Sequence, residues 1–361
     1  MTRYPRLIID LKKLESNVKE MKSRCDAMGI EIAGVIKGCS GLPECAKVYA
    51  NAGAKYIASS RLDQIKNIID YGVETPKMLI RIPMLSEIKE TIELTDISLN
   101  SQVETLEALN EEAKKQGKTH KVILMVDLGD LREGFYDKGE LLDAALLVEN
   151  TLDNLILAGV GTNLGCYGAI AATAEKLDEL VLDAEMIEKE IGRKLEYISG
   201  GATTSLPRVL DGDMPRRVNL LRLGEGVILG RDLEEFWGYN MDFMNMDVFT
   251  VQAEVIELKD KPSHPIGEIV VDAFGNTPTY QDRGVRRRGL IGLGKVDYGD
   301  PSSIYPRNKG VEIIGASSDH TIIDVENIKD EIKVGDILEF DICYGSMVYV
   351  TNSPNVTIEI K

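Results

Sequence analysis

A steady alternation constrains this chain more than any other feature. Apolar, strand-like runs fall at 31–36, 55–59, 77–82, 96–99, 121–127, 156–162, 195–199 and 219–223, with segments of helical periodicity between them. The clearest helical segment covers about 170–191, where Leu177, Leu180, Val181, Ala184, Ile187 and Ile191 share one face. Strand and helix in alternation predict a parallel sheet covered by helices. Eight such units within about 200 residues match a (β/α)8 barrel better than an open, doubly wound sheet. No G-x-G-x-x-G follows the first strand, so nothing specific supports a dinucleotide-binding fold. Ahead of the barrel, Arg6-Leu7-Ile8-Ile9-Asp10 reads as a strand whose last residue caps a helix with Leu11, Leu14, Val18 and Met21 on its apolar stripe.

The rhythm changes after Arg231. Residues 232–247 form a connector rich in Met and aromatic residues, which suits a contact between domains or subunits. Beyond it Phe249, Val251, Ala253 and Val255 alternate with polar residues. Ile269-Val270-Val271-Asp272 and Leu338-Glu339-Phe340-Asp341-Ile342 read as further strands, with Gly and Pro turns between. The expectation is an α/β chain of two parts, an N-terminal TIM barrel over 10–231 and a C-terminal mainly-β domain over 232–361, to which the strand at 4–9 can be added.

Composition narrows the function. Forty-two basic and 59 acidic side chains leave a net charge of −17, which disfavours nucleic acid or an anionic membrane as partner. The five cysteines are scattered without C-x-x-C spacing and the three histidines form no metal pair, so neither a disulfide framework nor a metal site is expected. The first residues carry no signal-peptide core and no run is long enough to span a bilayer, which predicts a cytoplasmic protein.

In a βα barrel the reacting groups sit at the carboxyl ends of the strands. The first barrel strand ends at Lys37, where an ammonium serves either as a solvated strand cap or as a nucleophilic amine facing a ligand. The seventh ends in Ser199-Gly200-Gly201-Ala202-Thr203-Thr204-Ser205. Glycines and hydroxyls at a helix start suit a phosphate, and they serve equally as a turn with an N-cap. Next to it, after the eighth strand, stands Gly224-Glu225-Gly226, and barrels commonly hold phosphate between these two loops. Arg222 lies inside the eighth strand, where a guanidinium needs either an acidic partner or a ligand. A phosphate cradle, a lysine and a buried arginine at one barrel mouth suit pyridoxal 5'-phosphate bound to the lysine as an imine.

With these residues in view, the chain resembles the alanine racemase-like, fold-type III pyridoxal-phosphate enzymes over nearly its whole length. The segments 36–43, 199–205 and 272–276 look most like the ornithine racemase branch of that family. The resemblance implies that Lys37 carries the cofactor and that Arg222, in Arg222-Leu223-Gly224, faces the pyridine nitrogen and leaves it unprotonated. Asp127, Gly129, Arg132, Gly134 and Phe135 match a D-x-G-x-x-R-x-G-F pattern, which puts Arg132 near the cofactor hydroxyl or the substrate carboxylate. Asn163 takes the place of the family's ring-stacking imidazole. The implied cofactor set is thus Lys37, Arg132, Asn163, Ser199, Gly200, Gly201, Thr203, Thr204, Arg222, Gly224 and Glu225.

Departures point away from alanine. The family's tyrosine four residues after the lysine is Gly41, and its carbamylated lysine falls on Met125. Its second base, a tyrosine early in the C-terminal domain, falls near Ala273-Phe274. Tyr344 is the first candidate to replace it, then Tyr280, with Cys343, Asp319 and His320 behind. Asp272 is expected to meet a substrate's distal amine, although an Asp before Gly-Asn is also a turn former. Asp319 is expected to approach the substrate from the partner of a head-to-tail homodimer with shared sites. The function implied is racemisation of a basic amino acid, ornithine first, by two bases acting at Cα. A decarboxylase of the same fold and a non-catalytic pyridoxal-phosphate-binding regulator are the rivals, while a metal-assisted dehydratase or aldolase lacks its His-x-Cys pair.

Overall fold

Eight parallel strands close into a barrel in the computed structural model, which describes residues 3–329 and 331–361. In chain order β1 (Arg6–Ile9) precedes the barrel strands β2 (Glu31–Val35), β3 (Tyr56–Ser59), β4 (Lys77–Leu79), β5 (Ile97–Asn100), β6 (His120–Met125), β7 (Leu155–Gly161), β8 (Tyr197–Ser199) and β9 (Leu220–Leu223). Each of the eight apolar runs became one of these strands, and β2 closes the ring by pairing with both β3 and β9. The strands are mostly apolar because helices cover the outside and side chains fill the inside. Within, small and large residues alternate. Ala33, Ala58 and Ala158 make room for Met78, Tyr56 and Tyr197, and the two tyrosine hydroxyls meet at 3.1 Å. Helices follow the strands as expected, among them Pro43–Asn51 after β2 and Ala174–Ile191 after β7.

The remaining strands are β10 (Phe249–Pro262), β11 (Val285–Ile291), β12 (Ile304–Pro306), β13 (Glu312–Ala316), β14 (Thr321–Asp324), β15 (Ile337–Ile342) and β16 (Thr357–Ile360). They form one sheet in the order β12-β15-β10-β11-β14-β13, while β1 lies antiparallel to β10 and parallel to β16. The first strand of the chain therefore belongs to the β unit, and Asp10 caps the next helix through the amides of Lys12 and Lys13.

Two details correct the sequence reading. The compact units are Leu14–Asn245 and Met1–Lys13 with Met246–Lys361, so residues 232–245 of the connector expected in the second domain go with the barrel. Its packing explains this. Leu233 and Met241 are buried, Arg24 stacks on the Phe243 ring, and Asn17 exchanges hydrogen bonds with Asn245. Second, 269–272 is not a strand. Val270 and Val271 are exposed in an irregular segment between β10 and β11, and no strand partner takes their backbone among the described residues. No helix of the described residues is long and apolar enough to cross a membrane, and no group of three or more metal-ligating side chains occurs among them.

Candidate active site

The loops at the carboxyl ends of β2, β6, β7, β8 and β9 hold the candidate residues of the barrel. The three non-glycine residues with positive φ among the described residues also lie in these loops: Ser40 (52°), Leu131 (58°) and Ala169 (53°). Such backbone is costly for a side-chain-bearing residue and collects where geometry serves a ligand.

Lys37 opens a single 3-10 turn directly after β2. Ser40 N–H closes that turn on the Lys37 carbonyl, and Gly41 N–H bonds the Ile36 carbonyl at 3.0 Å. Gly41 is the residue at the family's tyrosine position. Its φ is +69°, and a Cβ there would lie 2.5 Å from Gln64 Cβ, so this backbone excludes any larger side chain. Lys37 as a residue stays open to solvent, while its amine is crowded. Crowding pushes the amine below the ordinary lysine range. Cys166 opposes the shift, Arg132 and Arg222 add to it, and Glu133 opposes it. A depressed pKa raises the fraction of neutral, nucleophilic amine.

Arg222 is buried, and its partners are neutral: Nη1 donates to Ser199 Oγ and Nη2 to the Thr162 carbonyl at 2.6 Å. No carboxylate pairs with it among the described ion pairs. The salt bridge that burial alone would call for is therefore missing. Desolvation lowers its pKa to about 10, with the Glu133 charge opposing the shift and Arg132 adding to it, so the cation persists at neutral pH with neutral hydrogen-bond partners. A buried cation without a counter-charge costs several kcal/mol unless a ligand acceptor meets it.

Two loops adjoin beside it. Thr203 Oγ1 accepts from Gly226 N–H at 3.0 Å, tying the loop after β8 to the one after β9. A Cβ on Gly201, whose φ is +116°, would lie 2.6 Å from Ser205 Oγ, and one on Gly226 would lie 2.6 Å from Leu206 Cδ1, so both glycines let the loops approach closely. Ser205 Oγ donates to the Gly200 carbonyl, and Thr204 Oγ1 donates to the Leu164 carbonyl at 2.7 Å. Gly224 backs onto Val35 of β2. Glu225 turns elsewhere: its Oε1 accepts from Asp232 N–H at 3.3 Å, and burial with the nearby Asp232 charge pushes its pKa up to about 8. Asn163 is half-buried, and its Nδ2 is covered with no acceptor among the described residues.

Arg132 is exposed and paired with Glu133 next to it in sequence. Asp127 shapes that loop, its Oδ1 accepting from the amides of Gly129 and Leu131 at 2.8 and 3.0 Å. The orphaned amide of Asn163, the Arg222 cation facing neutral acceptors and the depressed Lys37 amine fit a ligand that offers an aldehyde to Lys37 and a neutral ring nitrogen to Arg222.

The alanine racemase N-terminal domain model matches residues 9–231. The chain belongs to the alanine racemase family. It is 41% identical to an ornithine racemase of Acetoanaerobium sticklandii over 345 residues, 96% of each chain. It is 36% identical to a lysine racemase of Thermotoga maritima, covering 98% of this chain and 97% of that one. Among solved structures, an alanine racemase from Streptomyces lavendulae superposes with a TM-score of 0.74 at 17% identity, over 100% of this chain and 98% of that one, a likeness of fold. By kind the chain is a racemase, an isomerase of this family.

The family's C-terminal candidates lie in the β unit. Asp272 sits in an exposed turn and accepts from the amides of Phe274 and Asn276 at 2.9 and 2.8 Å. Its local role is that of a turn former, and the strand it was expected to end is absent. Lys295 lies over the Phe274 ring at 4.0 Å and is among the charges acting on Asp272. Asp319 is exposed in the turn between β13 and β14, whose backbone packs on Gly294. Tyr344 opens the helix Tyr344–Val350, half-buried, one residue after Cys343. Tyr280 is exposed and meets His264 edge to face. Sequence reasoning passed over Thr162 and Gln64. Thr162 presents only its carbonyl to Arg222, and backbone acceptors leave no mark in a side-chain pattern.

Proposed function

We propose that this protein interconverts the L and D forms of a basic α-amino acid, ornithine before lysine, with pyridoxal 5'-phosphate as cofactor. The observation that carries the reading is Arg222, a buried guanidinium at the barrel mouth whose partners are a carbonyl and a hydroxyl. A neutral pyridine nitrogen suits it, whereas a protonated ring would need a carboxylate there. The order of the two substrates follows the order of identity to the two full-length relatives. When bound, pyridoxal phosphate acidifies the Cα–H bond of an attached amino acid by drawing off its electron pair.

The chain's own residues do the rest. Lys37 Nζ would hold the cofactor and is the group to take the Cα proton on one face. Ser199, Gly200, Gly201, Thr203, Thr204, Gly224 and the amide of Glu225 would hold the phosphate, and Asn163 and Arg132 would serve the rest of the cofactor. Arg222 would keep the ring nitrogen of a bound cofactor unprotonated, a setting that favours return of a proton to Cα over loss of carbon dioxide. Tyr344 Oη serves the opposite face, and the carboxylates of Asp272 and Asp319 receive the distal ammonium. Racemisation needs both faces, because the proton leaves one and returns on the other.

A head-to-tail homodimer brings the second set to the first. Exposed apolar side chains support it in both units: Leu131, Tyr136 and Tyr167 at the barrel mouth, and Ile266, Val270, Val271 and Phe274 in the β unit.

The test is proton exchange. In deuterated water both L- and D-ornithine should acquire deuterium at Cα, and Lys37→Ala should lose this together with the cofactor's visible absorbance. A holoenzyme that binds cofactor yet exchanges no Cα proton with any amino acid ends the racemase reading, and release of carbon dioxide instead establishes the decarboxylase.

A further inference from the structure

The turn that carries Lys37 is clamped from outside by the helix that follows β3. This helix, Leu62–Asp70, buries Leu62, Ile65 and Ile68. Gln64 and Asn67, three residues apart and so neighbours on the helix surface, meet the loop after β2. Asn67 Nδ2 donates to the Gly41 carbonyl at 3.3 Å. Gln64 lies against Gly41 itself, where a Cβ would be 2.5 Å from Gln64 Cβ and 2.8 Å from its Cγ. Gln64 thus fills the space into which a side chain at position 41 would project. Its far end is fixed as well. Ser59, buried at the end of β3, donates from Oγ to Gln64 Oε1 at 2.6 Å, and the same oxygen accepts from Arg61 N–H at 3.3 Å.

Gly41 passes this restraint to the lysine. Its N–H bonds the Ile36 carbonyl at 3.0 Å, and Ser40 N–H bonds the Lys37 carbonyl at 3.2 Å, so the peptide groups on both sides of Lys37 are held by residues 40 and 41. On the barrel side Ile36 N–H bonds the Ala58 carbonyl of β3 at 2.9 Å. Ser59, Gln64, Gly41 and the Lys37 turn therefore form one unbroken series of contacts. We infer that Gln64 is a positioning residue for Lys37: packed on Gly41 and pinned by Ser59, it fixes the turn from which the amine extends. The inference rests on the proposed use of Lys37. A lysine amine is aimed by its backbone, and a misplacement of about 1 Å at a reacting group costs on the order of a hundredfold in rate. The fold needs Gln64 less. Alanine is the better helix former, which partly offsets the hydrogen bond and the packing lost on truncation.

A structural and a positioning role separate in Gln64→Ala. Its melting temperature should move by only a few degrees, while the Ser40 and Gly41 amides exchange about tenfold faster or more and the barrel-strand amides keep their wild-type rates. Capture of pyridoxal phosphate, read by absorbance, should slow, and kcat should fall about tenfold with KM changed less than about twofold. Gln64→Met keeps the Cβ and Cγ that meet Gly41 and loses the bond to Ser59, so it should fall between. Exchange and kcat must move together. Wild-type exchange in a folded Gln64→Ala overturns the inference, and so does quicker exchange with kcat unchanged. A large drop in melting temperature with kcat unchanged makes Gln64 structural. Should Gln64→Ala fail to fold, Gln64→Met decides alone: quicker exchange with lowered kcat supports the role, and wild-type values overturn it. A wild-type chain that takes up no cofactor sinks the proposed function instead. Exchange at Ser40 and Gly41 then judges the clamp, upheld if Gln64→Ala quickens it and overturned if it does not.

Discussion

At the scale of single residues, Arg222 separates stability from use. A cation held by a carbonyl and a hydroxyl is a burden on the ligand-free fold, because its desolvation is not matched by a counter-charge. Arg222→Met removes that burden and leaves the Thr162 carbonyl and Ser199 hydroxyl to each other, at a cost of about 1–3 kcal/mol for imperfect pairing. The two effects oppose each other at similar size, so the melting temperature without cofactor should change by only a few degrees, while cofactor affinity falls at least about tenfold. Calorimetry beside a cofactor titration checks this. A collapse in melting temperature with unchanged affinity makes Arg222 a structural residue. Lys37 and Arg222 were both visible in the sequence because each is a charge at the end of, or inside, an apolar run. Gln64 was not, since a glutamine on a helix reads as an ordinary polar face until Gly41, which it packs against, is in place.

Among elements, the legible ones carry their own reason to form. The barrel runs are predominantly apolar and flanked by helical periodicity, and all eight formed. The run at 269–272 has the same composition, but a strand exists only where a neighbouring edge offers its backbone a ladder, and that partnership is non-local. β2 shows how tightly element and site are coupled. Gly34 sits against the ring of Tyr49 in the helix Pro43–Asn51; a Cβ there would lie 2.4 Å from Tyr49 Cγ, and Tyr49 is fully buried. Gly34→Ala should destabilise by about 1–3 kcal/mol in urea titrations, and it should disturb Lys37, which ends the same strand segment. Gly34→Ala with Tyr49→Leu should recover much of the loss. If the double variant is no more stable than the single one, the clash is not the cause.

For the whole molecule the open quantity is assembly. The apolar side chains left exposed at the barrel mouth and at 266–274 exceed what scattered surface residues require. Sedimentation should find two chains per particle. Under the proposed assignment, Val270→Asp with Val271→Asp should yield monomers that keep cofactor absorbance, since Lys37 is in the barrel, yet lose Cα exchange, since the residues proposed for the opposite face and the distal amine, Tyr344, Asp272 and Asp319, are in the β unit. Monomers with full exchange would show each chain to be sufficient. The position of β1 has a consequence for biosynthesis. This strand leaves the ribosome before any barrel strand, but its partners β10 and β16 are encoded at 249–262 and 357–360. At about 5–20 residues per second of translation, it waits on the order of tens of seconds for a neighbour. All eight barrel strands have emerged by then, so the barrel can close during synthesis, while the β unit is completed only after β16 has followed.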